Sequence, residues 1–187
     1  MNFKGAIGLF FILLVLAGTC YADEHEANHK AKVNIPNVAL LSLQFEENAN
    51  LDLTGSAAAV AGDQINLNTR QKSGVWINYS SVSEKNQKRK VTASVSGTMP
   101  HGITLKVKAE KSVGKGKGEL GQSKGLVELS EMPADIISGI GCCYTGTGTQ
   151  NGHLLSYEVD VDEAVFYRNS EQQPALVSIV YTLTDDN

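Results

Sequence analysis

Hydrophobic and polar residues alternate one for one along most of this chain. Ile103, Leu105, Val107 and Ala109 are separated by Thr104, Lys106 and Lys108, with Glu110 following. Val91, Ala93 and Val95 alternate with Thr92, Ser94 and Ser96, and Leu155, Tyr157, Val159 and Val161 alternate with polar and acidic neighbours. Val177, Ile179, Tyr181 and Leu183 close the chain in the same rhythm. A period of two places every second side chain on one face, the mark of a strand with one dry and one wet side. Shorter candidates are Val38–Leu43, Ala49–Leu53, Gly74–Tyr79 and Leu126–Leu129. Punctuated by Gly, Asn and Asp, these segments predict an all-β fold: an antiparallel β-sandwich of about eight or nine strands, Ig-like or pilin-like. Residues 112–125, rich in Gly and Lys, read as a flexible hairpin tip, and residues 57–61 as at most one helical turn. Neither a repeat nor a second domain is apparent.

The start of the chain follows a different rule. Lys4 precedes an almost unbroken apolar run from Ile7 to Leu16, and Cys20-Tyr21-Ala22 supplies small residues for a signal peptidase. Residues 1–22 therefore read as a secretory signal peptide, 23–32 as a flexible charged tail, and 33–187 as one domain. A rival reading lipidates Cys20, although Ala17 stands where a lipoprotein signal usually has Leu. The leader implies export to the periplasm, the cell surface or the medium. No later segment is apolar for long enough to make a helical membrane span.

The net charge of −4 conceals an uneven distribution. Residues 85–124 hold ten Lys or Arg against Glu110 and Glu119, whereas residues 125–187 hold Arg168 against ten Asp or Glu. Basic strands pairing with acidic ones would account for this, as would opposite faces of opposite sign that favour head-to-tail association. The basic block lacks interleaved aromatics, so nucleic acid is not an expected partner.

Four places carry candidate chemistry. His25 and His29, four apart beside Glu24 and Glu26, have a chelating spacing but fall in the tail; Glu158, Asp160 and Asp162 form a row on one strand face. Neither calls for a metal, and no cofactor is expected. Cys142 and Cys143 are adjacent in an exported chain. They allow buried thiols, a strained vicinal disulfide or bridges to another molecule, and strand geometry favours one thiol turned into the sheet. The segment Tyr144 to His153 joins an aromatic ring to amides, hydroxyls and glycines, so Tyr144, Gln150, Asn151 and His153 are candidate ligand-binding residues. Trp76, with Tyr79 nearby, reads either as core packing or as a second stacking platform.

The string ISGIGCCYTGTGTQNGHLLSYEV, with GVWINYSS before it and VSIVYTLTDDN after it, resembles a group of small exported bacterial proteins. They share a Gly-x-Gly-x-Cys-Tyr-Thr-Gly loop, a Gly-His step and a terminal Tyr-Thr-Leu-Thr-Asp strand. The resemblance spans residue 33 to the end and implies a β-sandwich rather than an activity, since the group's function is unknown. A looser similarity is to fimbrial or surface-layer β-sandwich subunits. The expectation is an exported, non-enzymatic protein with a surface interaction or structural role, a fimbria-like subunit or adhesin. Self-association or a surface glycan or protein would be its partner, with 33–43 as a possible donor strand. The alternatives are a carbohydrate-binding module and, third, an exported hydrolase using His101 or His153.

Overall fold

The structure, a computed structural model, describes residues 30–49, 51, 53, 60–63, 69–168 and 176–187. The leader, His25, His29 and most of the expected turn at 57–61 lie outside the described residues. Two compact units divide after Asn34: residues 30–34 of the first are in no regular element, and the second, from Ile35, carries every described element.

Among the described residues, nine strands and one short helix follow in order. They are β1 (Val38–Phe45), β2 (Thr69–Val82), β3 (Arg89–Ser96), β4 (Ile103–Ala109), β5 (Lys117–Ser123), β6 (Leu126–Glu128), β7 (Ala134–Tyr144), β8 (His153–Val161), α1 (Glu163–Phe166) and β9 (Ser178–Asp185). Every pairing is antiparallel. The ladder runs β6-β4-β8-β2-β7-β3-β9, with β1 on β2 and β5 on β7. The all-β expectation is met, but the hydrogen bonding makes one continuous sheet.

The continuity depends on the length of β2. Its Thr69–Ile77 stretch pairs β8 along one edge, while Val75–Val82 pairs β1 along the other. Ser80 and Ser81 then step onto Tyr144 and Cys143 of β7, joining the β6-β4-β8 arm to the β5-β7-β3-β9 arm. The hydrophobic cluster takes Ile77, Tyr79, Leu105, Val107, Leu155 and Tyr157 from the first arm. Val91, Ala93, Ile136, Ile137 and Ile140 come from the second. Alternation thus supplies both arms with one apolar face, and burying those faces is the main driving force for folding.

Two segments differ from their sequence reading. Residues 112–125, expected as a loose tip, contain β5, whose Gly118 and Gly121 let it lie tight against β7 across a register shift. Of residues 33–43, a possible donor strand by sequence, 33–37 are in no strand and 38–43 pair with β2 within their own unit as part of β1. Among the described residues of 49–53, none is in a strand.

Part of the uneven charge is taken up in pairs between strands. Arg70 stands opposite Glu158 and donates to it at 2.5 Å, and Lys106 of β4 pairs with Asp160 of β8. Lys90 reaches Asp135, and Lys88 reaches Glu119. The carboxyl of Asp162 caps α1 by accepting from the Val165 amide at 3.2 Å. The acidic row is therefore occupied by Arg70, Lys106 and a helix cap.

Candidate functional site

The sheet step at β2–β7 brings the least generic part of the sequence to one end of the fold. Beyond β7 the chain turns through Thr145–Gly152 and returns as β8. The segment before β5 crosses this turn backbone to backbone. Val113 pairs with Gly152 in both directions, at 2.9 and 3.0 Å, and the Lys115 amide donates to Asn151 Oδ1 at 3.0 Å. A Cβ at position 114 would stand 2.7 Å from the Gln150 carbonyl oxygen, and one at 116 would stand 2.9 Å from that of Tyr144. Glycine at both positions permits this approach.

The four predicted ligand-binding residues separate here. Tyr144 and Gln150 are exposed, with Gln150 held at φ +62° at the tip. Asn151 is turned inward on its own loop: its carboxamide accepts from Lys115 and donates to the Thr147 and Thr149 carbonyls at 2.9 and 3.3 Å. His153 is only 1% exposed. The structure thus leaves two of the four at the surface and commits Asn151 to holding the loop and His153 to the core.

His153 lies in a compact polar chain inside the core. Its ring stacks on Tyr79, with centroids 5.7 Å apart, and Nδ1 lies 2.8 Å from the Glu110 carbonyl, to which it can only donate. Nε2 lies 2.9 Å from the Tyr79 hydroxyl, which also bonds the Leu120 carbonyl. Burial holds the imidazole below its ordinary pKa of 6.5, and the Glu110 and Leu120 carbonyls oppose that shift without overcoming it. With a neutral ring, the single Tyr79 hydrogen serves two acceptors. Burial likewise raises the Tyr79 phenol. The partners of both ring nitrogens are a carbonyl and a phenol, not a carboxylate, while His101 sits exposed in the turn before β4.

A pH dependence follows from the direction of this shift. A base depressed in the folded state binds more protons when unfolded, so its stabilising effect is complete above pH 6.5 and is lost as pH falls below it. The expected slope attributable to His153 is at most about 1.4 kcal/mol per pH unit. Urea midpoints measured from pH 8 to pH 5 should show a decline that His153→Gln flattens. Parallel curves for the two proteins would contradict the assignment.

The vicinal cysteines face opposite ways, as alternation on β7 requires. Cys142 is exposed, its thiol directed at the Ser83 carbonyl at 3.5 Å, whereas Cys143 is 8% exposed within the core cluster. Both are free thiols. Burial, aided by Cys142 and Glu119, pushes the Cys143 thiol up to about 11. Its thiolate fraction at pH 8 is then about one in a thousand. Alkylation of the native protein should label Cys142 at least about a hundredfold faster than Cys143, read by peptide fragmentation. Equal rates would contradict the placement.

Trp76 is 8% exposed but lies on the face of β2 opposite Ile77 and Tyr79, outside the main cluster. Its indole N–H donates to Glu46 at 2.7 Å. Neither Trp76 nor the buried Tyr79 offers a ring to solvent. Beside Glu46, an open groove of about 250 Å³ is lined by residues 46–49 and 71–74.

Among the described residues no group of three or more His, Cys, Asp and Glu could hold a metal, and no helix is long and apolar enough to cross a membrane. No known protein family, curated protein or solved structure matches the chain.

Proposed function

We propose that this is an exported, non-enzymatic protein with an interaction or structural role at the cell surface, and that it acts by pairing with a second copy of itself along β1. The observation that carries this reading is the character of that strand. Val38-Ala39-Leu40-Leu41-Ser42-Leu43-Gln44-Phe45 has neither charge nor proline, and it meets β2 in unbroken register over all eight residues. Opposite β2, no described strand pairs with it. Leu40 is 66% exposed and Phe45 63%, with Ile35 exposed just before the strand. Soluble proteins ordinarily protect a free edge with charges, proline or a bulge, and β1 has none of these. Two antiparallel β1 strands related by a twofold axis would satisfy both edges at once.

His153 favours this reading over a hydrolase, because its ring nitrogens are committed to the interior. A carbohydrate site built on all four loop residues is disfavoured for the same reason, with Asn151 spent on its own loop.

Sedimentation velocity across a concentration series tests the proposal. The wild-type chain should dimerise with a Kd tighter than about 100 μM, equivalent to about 5.5 kcal/mol. Leu40→Lys, at an exposed site, should weaken that at least tenfold and leave the thermal midpoint of the monomer unchanged. A wild-type monomer at every concentration up to that value would refute self-association through this edge.

A further inference from the structure

A second surface lies where the chain before β5 crosses the Tyr144–Gly152 turn. Four lysines have carboxylate partners: Lys88 with Glu119, Lys90 with Asp135, Lys106 with Asp160 and Lys108 with Glu110. Lys115 and Lys117 have no acidic partner among the described residues, and both are exposed. The chain as a whole is net acidic, and these two cations, like the exposed Lys111 and Lys124, stand outside its ion pairs.

What sets Lys115 and Lys117 apart is an exposed aromatic beside them. Lys117 and Tyr144 are direct cross-strand partners on β5 and β7, so their side chains leave the sheet on the same side. The close crossing brings Gly114 to the Gln150 carbonyl and Gly116 to the Tyr144 carbonyl, and the Lys115 amide between them donates to Asn151, so Lys115 sits at the same crossing. Beneath the turn, Asn78 is 6% exposed and donates to the Gly148 carbonyl at 2.9 Å, while its Oδ1 has no hydrogen-bond partner among the described residues. Two unneutralised ammonium groups, one exposed ring and an exposed carboxamide therefore share a single end of the molecule.

We infer that this end binds an anionic polysaccharide, with Lys115 and Lys117 pairing successive acidic groups, Tyr144 stacking on a sugar face and Gln150 hydrogen-bonding its hydroxyls. The ammonium groups alone would be weakened by salt, since the screening length is about 8 Å at physiological ionic strength. The ring supplies the unscreened part of the contact, which favours a sugar over a bare anion. This inference is independent of pairing through β1.

The test uses the whole chain on immobilised polygalacturonate, with dextran sulfate as a second anionic polymer and dextran as the neutral one. Retention at about 0.15 M salt is expected on both anionic polymers and not on dextran. Lys115→Glu/Lys117→Glu should weaken retention at least tenfold, and Tyr144→Ala severalfold. Lys124→Glu carries the same type of charge change as each single substitution, but lies beyond the far end of β5 beside Ile136. About 20 Å of strand separates it from Tyr144, so it should have no effect. Equal weakening by Lys124→Glu would reduce the effect to net charge and overturn the site. So would absence of retention on both anionic polymers, equal retention on dextran, or stronger binding to phosphatidylglycerol vesicles than to either anionic polymer. Retention on dextran sulfate alone would retain the site and assign it to sulfated rather than uronic polymers.

Discussion

Replacing Arg89 by Met is expected to cost the fold about 3 kcal/mol, a large loss for a single side chain. Arg89 is 5% exposed, and its guanidinium closes one end of the sheet. It donates to the Val38 carbonyl at the start of β1, to Ser81 Oγ at 3.1 Å and to the Val82 carbonyl at 3.4 Å at the end of β2. It also donates to the Asn37 side chain and pairs with Asp185 of β9 at 3.5 Å. A methionine of similar length keeps much of the packing but leaves these oxygens without a donor, each at a cost of about 1 kcal/mol or more. Asp185 is 46% exposed and remains solvated without its partner, so Asp185→Asn should cost about 1 kcal/mol or less. Urea denaturation of the two variants checks the ratio. If Asp185→Asn were the more damaging, the ion pair rather than the carbonyl clamp would be holding the end.

The second large effect is expected at Gly152. Its φ is +76°, where a side chain costs roughly 1–2 kcal/mol, and a Cβ there would collide with the Ile77 carbonyl oxygen and stand 3.0 Å from Asn78 Oδ1. The oxygen belongs to the backbone of β2, so relief requires moving the strand that joins both arms. Gly152→Ala should therefore destabilise the protein by about 3 kcal/mol or more. Gly148 in the same turn provides the control: its φ is +81°, but a Cβ there meets nothing within 4 Å. Gly148→Ala should incur only the conformational cost, about 1 kcal/mol. Similar thermal midpoints for the two variants would show that the turn does not lie against β2 as described.

Alternation made much of this fold legible. The runs at Val91–Val95, Ile103–Ala109, Leu155–Val161 and Val177–Leu183 coincide with β3, β4, β8 and β9, because each has one face in the core and one in water. The runs that escaped this reading have reasons of their own. β7 contains adjacent buried residues, Ile136 with Ile137 and Ile140 with Gly141, because bulges against β3 and β5 break its period of two. β5 has few apolar side chains to alternate, and glycines there serve close approach to β7. The opening of β2, Thr69-Arg70-Gln71-Lys72, carries no apolar side chain although it alternates between half-buried and exposed positions.

The candidate site was legible only in outline. Its chemically rich sequence located the turn, but residue type did not reveal which side chains face inward. His153 and Asn151 look like ligand groups in a sequence; Tyr79, Glu110 and Lys115 turn them into structural ones. The lysines that join Tyr144 were hidden within a segment that reads as a loose tip.

Association along β1 is tested most directly by amide hydrogen exchange across Val38–Phe45 in dilute and concentrated samples. If two copies pair there, the β1 amides facing away from β2 exchange freely when dilute and become protected as concentration rises, with β9 and β6 unchanged. Exchange in β1 that does not vary with concentration, or protection that appears at β9 instead, would contradict pairing through this edge.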